Sequence, residues 1–155
     1  MLFGGGAARL AALVVLAALV PMTGLLAASC PNTGLKVAPF VFVTAKGRFR
    51  YNLEVAATPR QQECGLMHRT SMARGGGMYF PFDAPKETAF WMENTPLSLD
   101  LIFLTTDRHV LSITAGAKPN SRMIIGSKGV AASVIELGAG EAARMGLKPG
   151  DRVER

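Results

Sequence analysis

The residues from Phe90 to Leu104, FWMENTPLSLDLIFL, limit the fold more than any other stretch. They read as strand, turn, strand. Glu87 to Met92 forms the first strand, Asn94-Thr95-Pro96 turns the chain, and Leu99 to Thr105 forms the next, apolar except at Asp100 and Thr105. Neighbouring side chains on a strand point to opposite faces. Phe90, Trp91 and Met92 are all apolar, so this strand is either covered on both sides or lines a pocket with one of them. Trp91 is the only tryptophan. Its large apolar area reads first as core and second as a platform for stacking a ligand, with the indole N–H as a polar handle.

The remaining elements follow the same pattern of short strands. Val37 to Thr44 is rich in β-branched and aromatic residues, and Ala45-Lys46-Gly47 reads as a hairpin turn. Arg48 to Ala56 then alternates strictly, with Phe49, Tyr51, Leu53 and Val55 on one face, a half-buried strand of period two. Thr58, Pro59 and Gln61 form a helix start with a capping box, predicting a helix to about Met67. Gly75 to Gly77 reads as a flexible joint; without a following Lys-Ser/Thr it is no phosphate loop. Further strands are predicted at Met78–Phe80, His109–Thr114 and Val130–Leu137, with a stub at Arg152-Val153. Asp83-Ala84-Pro85 reads as a turn. Ala115 to Lys128 reads as a loop in which Met123-Ile124-Ile125 touches the core. A second short helix ends at Gly146 as its C-cap. Short strands at close spacing with two short helices define a β-rich α+β domain, a single compact sandwich or partly closed barrel.

Residues 1–29 differ from the rest. One charge, Arg9, precedes an apolar run, and Ala27-Ala28-Ser29 offers small residues for cleavage, the pattern of a signal peptide. The expected organisation is therefore a signal peptide over 1–29, a tether over 30–36 and a single domain over 37–155. Left uncleaved, the N-terminus would be a membrane anchor. Cys30 stands where a lipoprotein carries its lipid, although Ala27 replaces the leucine usual in such signals. A disulfide with Cys64 and a free thiol are the alternatives. Export to the periplasm or cell envelope is expected, with membrane attachment through Cys30 or the N-terminus as one arrangement.

Without Arg9, sixteen basic and eleven acidic side chains remain, a net charge of +5. They are scattered, with no run of five like charges, and this argues against nucleic acid as a partner.

Several spaced motifs resemble the prokaryotic family known as domain of unknown function 192. They are Glu54-Val-Ala, Gly65-Leu66-Met67-x-Arg69, Gly77-Met78-x-Phe80, Phe90-Trp91-Met92-x-Asn94-Thr95, Leu99-Asp100-x-x-Phe103, Glu136-Leu-x-x-Gly140 and Gly146-Leu-x-x-Gly150-Asp151. The resemblance covers roughly residues 50 to 153. Members often have proline just before the Leu-Asp pair, where this chain has Ser98. The resemblance implies a compact β-rich fold, often exported, and no particular activity.

Three carboxylates sit in or beside apolar strands: Glu54, Asp100 and Glu136. A buried charge needs a partner. Arg69 is the expected partner of Asp100, since a guanidinium holds a carboxylate bidentately. Asn94 and Thr95 organise their turn through side-chain bonds to nearby backbone. The candidate ligand-binding residues are thus Arg69, Trp91, Asn94, Asp100, Glu136 and Glu54. Cys64, Met67 and His68 lie close together, but His68 and His109 are the only histidines, and methionine is a common core filler; no metal and no cofactor is expected. Cys64 beside His68 is only an adjacency on a helix surface. With no nucleophile–base constellation, the expected function is non-enzymatic binding of a small molecule, a cell-envelope polymer or a protein partner. The alternative is a carboxylate-based hydrolase using Asp100 with Glu136 or Glu54.

Overall fold

The alternation of Arg48–Ala56 becomes a strand paired along its length with the one before it. β1 (Val37–Thr44) and β2 (Gly47–Val55) form an antiparallel hairpin running from Val37 opposite Glu54 to Thr44 opposite Gly47. This computed structural model describes Cys30 and residues 32–155, so the expected signal peptide lies outside the described residues. After β2 come α1 (Pro59–Cys64), β3 (Met78–Phe90), β4 (Leu99–Leu104), β5 (Val110–Ala117), β6 (Ile125–Gly138), α2 (Glu141–Met145) and β7 (Arg152–Glu154). No described helix is long and apolar enough to cross a membrane.

The strands form one curled sheet in the order β5-β4-β6-β3-β2-β1-β7. Only β2 and β3 are parallel, and α1 with its following loop supplies the crossover that a parallel pair requires. Glu54 N–H donates to Gly77 O (3.0 Å) and Ala56 N–H to Tyr79 O (2.9 Å). Gly77 lets β6 approach closely on its other side, because a Cβ there would lie against Glu136 O and 2.7 Å from Leu137 Cδ2. The last strand returns to the first in that order: Val110 N–H donates to Asp151 O (2.8 Å) and Val153 N–H to Arg108 O (2.9 Å). The result is a partly closed, β-rich barrel with two short helices.

Two apolar clusters occupy the two faces of the sheet. β4 is buried throughout and feeds both. Leu99, Leu101 and Phe103 join Leu66, Met78, Phe80, Met92 and Val134 on one face. Ile102 and Leu104 join Phe40, Phe42, Tyr51, Leu53 and Ile135 on the other, where Ala142 and Met145 of α2 also pack. Tyr51 ties α2 to β2, since its hydroxyl donates to Glu141 and accepts from Arg144 Nη2 (2.6 Å). Burial and the Glu141 carboxylate push the Tyr51 hydroxyl up to about 12.

Local departures from the expected elements have clear causes. α1 has the anticipated capping box of Thr58 and Gln61, but it ends at Cys64, where Gly65 takes a positive φ of 45°. Asp83-Ala84-Pro85 is not a turn between strands. β3 stays paired with β6 on both sides, so these residues are absorbed as a wide irregularity between Pro81 opposite Ser133 and Lys86 opposite Ala131. The start of β6 pairs with the end of β3, which shortens the expected 115–128 loop. Met123 and Ile124 are 74% and 69% exposed rather than in the core, and Ile125 alone of the three packs inward.

Candidate functional site

A cavity of about 720 Å³ opens between the C-terminal end of α1, the bulged half of β3 and the turn that follows it. Its apolar wall includes Leu66, Phe80, Phe82, Phe90 and Trp91, and the Cys30–Cys64 disulfide borders it. Phe80 meets Phe90 edge to face at 5.4 Å between ring centroids, and Phe90 meets Phe103 at 6.1 Å. Charged residues also border it: Arg60, Glu63, Lys86 and Glu93. Most are already engaged. Arg60 holds Glu63 at 3.1 Å, Arg122 holds Glu93 at 2.6 Å, and the Lys86 ammonium lies 5.1 Å from the centre of the Phe82 ring.

Glu136 also lines this cavity. It lies on central strand β6, between Met78 of β3 and Leu101 of β4, and is only 5% exposed. Its carboxyl makes no hydrogen bond or ion pair with any described residue; loss of water alone raises its pKa from 4.5 to about 8.

Trp91 is 50% exposed, so its reading as a core residue is corrected. The strand ends two residues earlier than expected, at Phe90, and the chain turns there. Met92 N–H donates to Ser121 O (2.9 Å), and Met92 takes the buried place instead. Trp91 is left on the cavity wall. Asn94 lines the cavity too and adopts a positive φ of 54°, with its carbonyl accepting from His68 N–H (2.7 Å). Thr95 is buried and donates to Glu93 O (3.2 Å), as a turn-forming threonine does.

The expected pair of Asp100 and Arg69 is not formed. The sheet separates them. Asp100 shares its face with Ile102 and α2, while Arg69 lies on the other side and binds Glu54 and the carbonyl of Asn32 (2.6 Å). Asp100 needs no cation, because its two oxygens accept from Gly116 N–H and Ala142 N–H, each at 2.9 Å. It caps the first turn of α2 from a distance, at a helix whose own N-cap residue, Gly140, has no side chain to do so. Asp100→Ala leaves two N–H groups without their acceptor and is expected to destabilise the fold by about 3 kcal/mol. A lower urea midpoint with an unchanged slope checks this.

Of the six expected binding residues, the cavity thus brings together Trp91, Asn94 and Glu136. Arg69, Glu54 and Asp100 lie outside it. Glu54 and Glu136 do share a face, each opposite Met78 on a neighbouring strand, which separates them by two strand spacings, about 10 Å. Asp100 faces away from both, so neither of the other two anticipated carboxylates joins Glu136 at the cavity as an acid–base pair. Among the described residues no three His, Cys, Asp or Glu side chains cluster as a metal site would. Sequence reasoning missed Phe80, Phe82 and Lys86 as wall residues. The aromatic pair Phe80 and Phe82 was visible, but the bulge that turns this part of β3 into a wall was not.

Comparison with known proteins places the chain in a family without fixing a role. No curated protein matches it. A crystal structure of a protein of unknown function from Novosphingobium aromaticivorans DSM 12444 is 39% identical, covers 83% of this chain and 91% of its own, and superposes with a TM-score of 0.77. A crystal structure from Sinorhizobium meliloti 1021, named a "putative transcription regulator", is 38% identical, with 80% and 97% covered and a TM-score of 0.76. The profile of DUF192, described as an uncharacterized ACR, matches residues 41–155, and the chain belongs to that family.

Proposed function

We propose that this protein is an exported, non-enzymatic binding domain of the periplasm or cell envelope, and that its ligand is a small molecule seated in the cavity beside Glu136. One observation carries the reading: a largely buried carboxyl, with no partner among the described residues, lines a cavity with an aromatic wall. Such a group costs stability and returns none, so its use lies in what it meets from outside. A cavity of about 720 Å³ falls in the range that encloses small ligands. Trp91 on its wall supplies a stacking surface and Asn94 a polar contact. A concave site of this kind suits a small molecule better than the broad face of a protein or polymer. The signal-like N-terminus and the disulfide support export.

Trp91 is the single tryptophan, so its emission reports the cavity without labelling. Titration with sugars, short peptides and amines is expected to shift that emission for at least one class. The same ligand, at a hundredfold excess over its Kd, is expected to raise stability by about 2.7 kcal/mol. Silence from every class in both measurements would contradict a small ligand.

A further inference from the structure

The chemistry at Glu136 narrows the class of ligand, on the premise that the cavity is a binding site. We propose that the ligand is a small organic cation whose primary or secondary ammonium seats on the Glu136 carboxylate, with an apolar, ring-bearing body against Phe80, Phe90 and Trp91.

No described residue donates to the Glu136 carboxyl, which leaves it open to a donor carried by the ligand. An ammonium provides both the opposite charge and N–H donors, and charge-assisted bonds of this kind are about twice as strong as neutral ones. The wall adds to the preference. Aromatic rings attract a cation to their faces, most strongly at desolvated sites. The competing cations are occupied, Arg60 with Glu63 and Lys86 over Phe82. A carboxylate ligand would bring a second acid to a buried acid. A neutral alcohol would supply one hydrogen bond and leave the carboxyl either protonated or uncompensated.

The titratable groups that border the cavity are Arg60 and Glu63 from α1, Lys86 from β3, Glu93 from the turn after it, and Glu136 itself from β6. Glu63 and Glu93 are ion-paired, and burial pushes the Glu136 carboxyl up to about 8. Binding an ammonium requires Glu136 to lose its proton. Amine affinity should therefore rise about tenfold per pH unit up to about 8 and then level until the amine itself deprotonates.

Calorimetric titration of the full protein with benzylamine, benzyl alcohol and benzoate tests the proposal. Benzylamine is expected to bind at least tenfold more tightly than benzyl alcohol at pH 8, with benzoate weakest. Glu136→Gln is expected to erase the preference for the amine over the alcohol, with its folding verified by thermal unfolding. Equal binding of amine and alcohol, unchanged in Glu136→Gln, would overturn the ammonium inference and leave the cavity as a site. Amine affinity that falls as pH rises from 6 to 8 would overturn it as well, since Glu136 would then act as a protonated donor. Failure of all three probes to bind would overturn both the inference and the reading it rests on.

Discussion

Glu136→Gln raises the unfolding midpoint of the protein at pH 9 and moves it little at pH 4. The sign follows from burial. In the unfolded chain the carboxyl titrates at about 4.5, and in the folded chain at about 8. Between these values the folded state holds a proton that the unfolded state has lost. Stability is therefore fully present below about 4.5, falls as pH rises, and levels off above about 8. At 1.36 kcal/mol per pH unit, the difference comes to roughly 4–5 kcal/mol on the alkaline side. Glutamine keeps the shape and removes the charge. For a domain of this size the gain at pH 9 corresponds to roughly 10 °C or more. Thermal unfolding of both proteins from pH 4 to pH 9 measures it. A substitution that stabilises a protein by removing one buried charge marks a group kept for function.

Breaking the Cys30–Cys64 disulfide is expected to lower stability by about 4 kcal/mol, from the entropy of a loop spanning 34 residues. The bond closes the segment before β1 onto the end of α1. Asn32 then donates from its side-chain amide to Gln61 O (2.8 Å) and Gly65 O (3.0 Å), and its carbonyl accepts from Arg69. The segment expected as a tether is thus bound to the domain surface. Urea unfolding of a Cys30→Ser, Cys64→Ser variant reads the loss. A lipid joined through the Cys30 sulfur would exclude this bond, so the mass of the peptide that carries Cys30, before and after reduction, separates the two states. The same disulfide borders the cavity, so the double variant is also expected to alter Trp91 emission.

Local rules account for what was legible in the sequence. The period of two in Arg48–Ala56 is β2, the box of Thr58 and Gln61 starts α1, and the apolar run that follows Asn94-Thr95-Pro96 is β4. What was not legible depends on partners distant in the chain. Asp100 is held by N–H groups 16 and 42 residues away, and backbone donors leave no mark in a sequence. Side-chain pairing rules therefore pointed to Arg69, which the sheet places on the opposite side. Trp91 escapes the core because its strand stops at Phe90, a boundary set by the bond from Met92 to Ser121. Glu136 was recognisable as an oddity in Ser133-Val-Ile-Glu-Leu-Gly138. Its lack of a partner among the described residues, on which the site rests, emerges only once β3, β4 and β6 are assembled around it.

Carbon-13 NMR titration of the Glu136 side-chain carboxyl reads its burial and its response to a ligand together. The predicted result is a midpoint at about pH 8 in the free protein that moves down when benzylamine saturates the cavity. A midpoint at the ordinary value of about 4.5, unmoved by benzylamine, would contradict a buried carboxyl awaiting a cation.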